Sequence, residues 1–290
     1  MANVRELNRK IGSLRNMQKV MRAMNMIAST KFRKMNYLQF SLPFFKGNIE
    51  SLERDIIASF SGRFGKKNCR EIDGYENVES VGIVLFSADK GLCGAHNSSV
   101  RKAAELLAET NRAKGVEVEF TCVGTKAAAF CRRNGYKIYH QTEINEKTLT
   151  DPVLRDIANN LLERFHSGKV QEIYVVYNEF VSTLAQDTKA LRVLPFEPPG
   201  MDDNPGAELH TEPESALFLK ESVKAILNYR LKMALLNSRL SENAARMTAM
   251  DNATHNSEDL IFRYSKLRNK ARQTSITNEL IEIVAGKEAM

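Results

Sequence analysis

The chain has 290 residues, 43% apolar and 27% charged, which is the make-up of an ordinary water-soluble protein with length for about two domains. No window reaches 18 consecutive apolar residues, and the N-terminal segment is charged and periodic, so neither an exported nor a membrane-spanning chain is expected. The net charge of +7 is uneven: residues 1–67 hold 14 Lys or Arg against 4 Asp or Glu, residues 68–213 hold 16 against 22, and residues 214–290 hold 12 against 9.

Basic ends around an acidic middle imply an acidic partner along the terminal segments. The first of these, residues 1–65, places apolar side chains at Val4, Leu7, Ile11, Leu14, Met17, Met21, Met24, Ala28, Phe32, Met35 and onward to Phe60, every step three or four residues. That spacing predicts one long helix with a single apolar stripe. Arg5, Arg9, Lys10, Arg15, Lys19, Arg22, Lys31, Arg33 and Lys34 make its other faces cationic, and Pro43 predicts a kink.

From Val78 the pattern changes, and residues 66–213 read as an α/β domain. Val81 to Phe86, Val116 to Val123 and Glu172 to Tyr177 are short apolar runs expected as buried strands, with Leu191 to Leu194 a further edge strand. Ser98 to Asn111, Lys126 to Arg133 and Pro152 to Phe165 read as helices, and Asp151 before Pro152 fits a helix start. The alternation predicts three layers around a largely parallel, Rossmann-like sheet. Pro195 to Pro213 reads as the closing loop.

The chemistry legible here is sparse. The loop from Asp89 to Asn97 follows the first strand, where open α/β sheets bind ligands, yet it carries neither GxGxxG nor GxxxxGK[ST]. It reads as a packed or partner-facing turn. Cys93 and His96 have no identifiable orienting third group for nucleophilic catalysis. The four cysteines, Cys69, Cys93, Cys122 and Cys131, show no metal-ligand spacing, and a reducing compartment is the simplest reading. No catalytic, cofactor-binding or metal-ligating residue is assigned.

Residues 214–290 contain no Gly or Pro from Glu214 through Ala285, a run of 72 residues. Wholly helical, it would reach about 108 Å. Its stripe runs Leu219, Val223, Ile226, Met233, Leu236, Leu240, Ala244, Met247, Met250, Leu260, Tyr264, Leu267, Ala271. One terminal helix enters the middle domain and the other leaves it, so side by side they form an antiparallel coiled coil. With Phe60 set near Glu214, the start of the first helix lies near residue 270, and everything beyond about residue 271 projects alone for roughly 22 to 30 Å. That tip holds Ile276, Leu280, Ile281, Ile283 and Val284, which an isolated helix in water would not keep bare. Another protein is expected to sheathe it.

Five motifs in order resemble the gamma subunit of F-type ATP synthase, and the resemblance runs from end to end. They are Lys19-Val-Met-Arg-Ala-Met-Asn-Met-Ile-Ala-Ser-Thr-Lys31, Asp89-Lys-Gly-Leu-Cys-Gly94, Tyr177-Asn-Glu-Phe180, the segment from Ser241 to Met250, and the ending from Lys270 to Gly286. The resemblance implies a non-catalytic central rotor whose coiled coil turns inside a ring of alpha and beta subunits. It implies that the α/β base meets the epsilon subunit and the membrane c-ring, without nucleic acid and with membrane contact only through the complex. It implies a peripheral location on the cytoplasmic face of a bacterial membrane, or the matrix face of a mitochondrial one. Residue by residue, Met24 matches the family position facing an acidic hinge segment of the catalytic subunit, with Arg22 and Lys19 supplying charge nearby. Arg272 and Gln273 match a pair that contacts a catch loop of the ring. Ile276, Leu280, Ile283 and Val284 match the tip held in an apolar bearing. The chloroplast regulatory insert with its cysteine pair is missing, and Asn25 and Thr30 replace more usual residues.

Two rival readings lack their signatures. A nucleic-acid-binding arm would use the same basic helix but needs recognition aromatics or a base-reading motif. A Rossmann-type enzyme needs the glycine fingerprint and an acidic ribose partner.

Overall fold

Five strands and their flanking helices account for the middle of the chain in the computed structural model, which describes residues 4–40, 51, 54, 70–143, 151–196 and 215–288. In chain order the elements are α1 (Val4–Phe40), α2 (Arg70–Asp73), β1 (Ser80–Phe86), α3 (His96–Ala113), β2 (Glu117–Val123), α4 (Thr125–Arg133), β3 (Lys137–Thr142), α5 (Asp151–His166), β4 (Glu172–Phe180), β5 (Gln186–Leu194) and α6 (Ser215–Glu288). The expected continuation of α1 to Phe60, the kink at Pro43, Cys69 and most of the closing loop lie outside the described residues. The elements form two units, Met1–Thr30 with Arg246–Met290, and Lys31–Ala245.

Within Lys31–Ala245 the sheet order is β3-β2-β1-β4-β5, parallel except for β5, which runs antiparallel to β4. The central strands are apolar on both faces because helices cover both. Val81, Ile83 and Leu85 of β1 point to one layer with Val100, Ala104 and Ala108 of α3 and Ala127, Ala128 and Phe130 of α4. Val84 and Phe86 point to the other, with Leu154, Ile157 and Phe165 of α5 and Val223, Ile226, Leu227 and Leu231 of α6. The start of α6 is therefore part of the α/β core, and the three-layer, largely parallel expectation holds.

Two strands differ from the sequence reading. β3 was not expected: Lys137-Ile-Tyr-His-Gln-Thr142 has no apolar run, because as an edge strand it alternates exposed and half-buried positions. β5 begins at Gln186 rather than Leu191, since its first half is a polar edge whose backbone is paired with β4 from Gln186↔Phe180 onward. Charged side chains such as Lys189 and Asp187 blunt that edge.

The loop after β1 is tied to the start of α4. Thr125 N donates to Asp89 Oδ1 at 2.8 Å and Ala127 N donates to Ser87 Oγ at 2.7 Å. Gly124 between them has φ +106°, and a Cβ there would stand 2.2 Å from the Ser87 carbonyl oxygen, so only glycine fits. Cys93, Cys122 and Cys131 are buried free thiols. Cys122 and Cys131 lie 3.6 Å apart, and the contact with Cys122 together with burial pushes the Cys131 thiol up, leaving it a poor nucleophile.

Candidate functional site

In the unit Met1–Thr30 with Arg246–Met290, α1 and α6 run antiparallel. Met21 Sδ accepts from Ser257 Oγ at 3.8 Å, and Arg22 Nη2 sits 2.7 Å from Glu258 Oε1, which also accepts from Gln18 Nε2 at 2.9 Å. Continuing that register, Val4 falls opposite about residue 274, one helical turn beyond the expected 270. Burial agrees: Thr274 is the last half-buried residue, and every position from Ser275 to Lys287 is exposed.

The seam corrects part of the expected stripes. On α1 the positions turned toward α6 are Val4, Leu7, Ile11, Leu14, Gln18, Met21, Asn25 and Ala28, an unbroken alternation of three and four. Met17, assigned to the stripe on its apolar character, is 50% exposed, and polar Gln18 takes the seam position. Heptad continuity wins over side-chain type here, because shifting one position would turn the helix by about 100° away from its partner. On α6 the seam runs through Met250, Thr254, Ser257, Ile261, Tyr264 and Ala271, while Leu260 and Leu267 face outward.

Met17, Val20 and Ile27, the last two both 58% exposed, line up with half-buried Met24 at steps of three, four and three on the outer surface of α1. Lys19 stands exposed beside this line, and Arg22 is shared with Glu258. Arg272 and Gln273 are exposed on α6, one turn before Ile276, Leu280, Ile283 and Val284, all of which are bare. The sequence-assigned residues thus fall into two places. Lys19, Arg22 and Met24 share one stretch of α1; Arg272 and Gln273 lie on the last paired turn of α6, and Ile276, Leu280, Ile283 and Val284 on its unpaired end. What the arrangement offers chemically is contact: apolar ridges flanked by cations, suited to docking against apolar and acidic surfaces.

Sequence reasoning missed a third feature, inside Lys31–Ala245. At the end of β4, Asn178 is buried and fully engaged. Its Nδ2 donates to His96 Nδ1 at 2.9 Å and to the His96 carbonyl at 3.0 Å, and its Oδ1 accepts from Ser99 Oγ at 3.2 Å and Thr188 Oγ1 at 2.7 Å. Its backbone oxygen accepts from Ser241 Oγ of α6 at 3.1 Å. Two residues on, the Phe180 ring meets Phe32 of α1 edge-on with centroids 5.5 Å apart. The motif from Tyr177 to Phe180 was visible in the sequence, but nothing in its residue types says that it holds both terminal helices.

The Asp89–Asn97 loop is likewise closed on itself. Asn97 Oδ1 accepts from Ala88 N at 3.0 Å, and Asn97 Nδ2 lies 3.2 Å from Cys93 Sγ. Leu92 at its apex has φ +61° and is 63% exposed, so an apolar side chain leads at the point where a phosphate loop would offer amides.

The bare apolar ridges of a long antiparallel helix pair are the mark of an assembly protein, one whose surface is made to be covered by partners. The sequence profile of the ATP synthase family matches residues 3–290. ATP synthase gamma chains similar along the full length include those of Nitratiruptor sp. (33% identity; 100% of both chains) and Erythrobacter litoralis (35%; 100% of both). Among solved structures, a chain of the Euglena gracilis mitochondrial ATP synthase OSCP/F1/c-ring shares the fold with TM-score 0.69 at 18% identity, over 99% of this chain and 94% of that one. A chain of the Tetrahymena thermophila mitochondrial ATP synthase central stalk and c-ring does so with TM-score 0.61 at 23% identity, over 81% and 99%. The chain belongs to the ATP synthase gamma-chain family.

Proposed function

We propose that this chain is the central rotor stalk of an F-type ATP synthase, turning within a ring of alpha and beta subunits and coupling transmembrane ion flow to ATP synthesis without an active site of its own. The observation that carries the reading is the end of α6. From Ser275 onward it has no partner helix among the described residues, and it presents Ile276, Leu280, Ile281, Ile283 and Val284 to solvent. Apolar surface of that extent on an isolated helix is stabilised by enclosure in another protein.

The outer line of Met17, Val20, Met24 and Ile27 with Lys19 beside it is a second contact, suited to an acidic segment of a catalytic subunit. Arg272 and Gln273 are placed to meet a loop of the ring just below the tip. An asymmetric shaft making different contacts with three otherwise equal subunits biases each toward a different state, which is how a rotor without chemistry can drive chemistry elsewhere. The α/β unit then serves as the base facing the epsilon subunit and the c-ring. No helix among the described residues is long and apolar enough to cross a membrane, so membrane association comes through the complex, on the cytoplasmic face in a bacterium or the matrix face in a mitochondrion.

The test is isolation of the intact complex containing this chain, followed by measurement of ATP hydrolysis and ATP-driven ion pumping. Co-purification with an ATP-hydrolysing hexamer that pumps is the expected result. A chain that stays monomeric and leaves reconstituted ring subunits inactive overturns the reading.

A further inference from the structure

We propose that Ser241 and Asn178 form a positioning joint that carries torque between the long helix α6 and the sheet. The proposal rests on the rotor reading above and adds to it the place where α6 is keyed to the sheet.

Most of what holds the start of α6 on the sheet is apolar: Val223, Ile226, Leu227 and Leu231 lie in the core shared with α5. Apolar burial resists separation but is non-directional, so by itself it opposes rolling or sliding of a helix only weakly. Directional contacts supply what burial lacks. Ser241 is fully buried, and its hydroxyl donates to the Asn178 carbonyl at 3.1 Å. Three helical turns earlier, Arg230 Nη1 donates to the carbonyl oxygens of Arg192 and Val193 on β5 at 3.3 and 3.5 Å. Two polar fixings on one helix, with apolar packing between them, set both its rotation and its height.

The sheet end of the joint is built to stay in place. The Asn178 amide uses both donors and accepts twice, binding α3 through His96 and Ser99 and β5 through Thr188. A buried amide with both donors used and two bonds accepted is held stiffly, because displacing it strands polar groups away from water. Two residues along the same strand, Phe180 contacts Phe32 of α1, and its N–H points at Asn237 Oδ1 of α6 at 3.5 Å. Both long helices are therefore engaged within three residues of β4.

The experiment uses the assembled complex and three variants. Ser241→Ala removes the bond that crosses from helix to sheet, Thr188→Val removes a bond wholly within the α/β unit, and Asn178→Leu removes the hub. The readouts are ions pumped per ATP hydrolysed against an opposing gradient, and the thermal midpoint of the purified chain. Ser241→Ala is expected to lower the ion-to-ATP ratio by about two-fold or more, with a drop in midpoint no larger than that of Thr188→Val. Thr188→Val is expected to lower the midpoint and leave the ratio alone, and Asn178→Leu to lower both. A wild-type ratio in Ser241→Ala, or pumping and hydrolysis that fall together in that variant, overturns the joint. A wild-type complex that hydrolyses ATP without pumping overturns the rotor reading itself, which keeps the two failures apart.

Discussion

Arg22 of α1 and Glu258 of α6 meet at 2.7 Å across the helix pair, and Gln18 donates to the same carboxylate oxygen one turn away. The contact marks the antiparallel register that the apolar seam sets, and hence how much of α6 is left unpaired. Both side chains are more than a third exposed, so the pair is screened, and its strength is modest, under about 1 kcal/mol. Arg22→Glu should lower the thermal midpoint of the chain slightly, and adding Glu258→Arg should restore most of the loss. The difference should shrink between low salt and about 1 M salt, where the screening length drops to about 3 Å.

The seam assignment separates two adjacent residues. Gln18 faces α6 and Met17 faces away, so Gln18→Leu should raise stability by about 1 kcal/mol through added apolar burial. Met17→Gln should change it by less than about 0.5 kcal/mol. Urea unfolding of the two variants checks this, and the opposite ranking would mean that the helix pair is turned by one position.

How legible these features were depends on what each residue answers to. The three-layer sheet was readable because Val81 to Phe86 and Glu172 to Tyr177 are buried on both faces and so appear as apolar runs. β3 was not, because an edge strand such as Lys137 to Thr142 needs no apolar run to be held by its neighbour's backbone. The bare tip followed from counting helix lengths, and was misplaced by one turn only because the pairing of Arg22 with Glu258 cannot be read from periodicity. Gln18 in the seam and Met17 outside it invert what side-chain polarity suggests. The Asn178 hub was hidden for a different reason: its partners His96, Ser99, Thr188 and Ser241 are distant in sequence and converge only after the sheet is assembled.

Tyr177 gives the chain an alkaline limb. Burial against the core pushes its phenol up to about 12, helped by the Glu179 charge and opposed by Arg230. The unfolded value is about 10. The neutral form is the one the folded state favours, so this contribution is fully present below pH of about 10 and is lost as pH rises toward about 12. Tyr177→Phe should flatten the fall in unfolding free energy across that window, by at most about 1.4 kcal/mol per pH unit, and leave stability near pH 8 within about 1 kcal/mol of wild type. Denaturant titrations at several pH values measure it. An unchanged alkaline slope would show that the phenol ionises as freely in the folded chain as in the unfolded one.

Gly124 is the position least tolerant of a methyl group. With φ at +106° and the Ser87 carbonyl 2.2 Å from where a Cβ would stand, Gly124→Ala must displace either the end of β1 or the start of α4. Both are held by the Thr125–Asp89 and Ala127–Ser87 bonds, so a cost above about 3 kcal/mol is expected. Gly115→Ala is the control: it also has positive φ, but open space surrounds it, and its cost should be about 1 kcal/mol. Comparable unfolding midpoints for the two variants would argue against the close approach at Ser87.

The end of α6 separates folding from assembly most cleanly. Ile283 is 68% exposed and nothing among the described residues covers it, so Ile283→Glu should leave the unfolding free energy of the purified chain within about 0.5 kcal/mol of wild type. The same charge placed inside an apolar sleeve would have to be desolvated, at a cost of several kcal/mol, so the yield of assembled complex should fall sharply. Ile226→Glu reverses the pattern: that side chain is fully buried in the α/β core, and the chain itself should fail to fold. Removing about the last 10 residues should weaken assembly yet leave turnover in the complexes that do form, because on the rotor reading the outer line of Met17, Val20, Met24 and Ile27 supplies a second contact that the truncation leaves intact. Complete loss of hydrolysis-driven pumping in correctly assembled truncated complexes would place the working contacts at the tip instead.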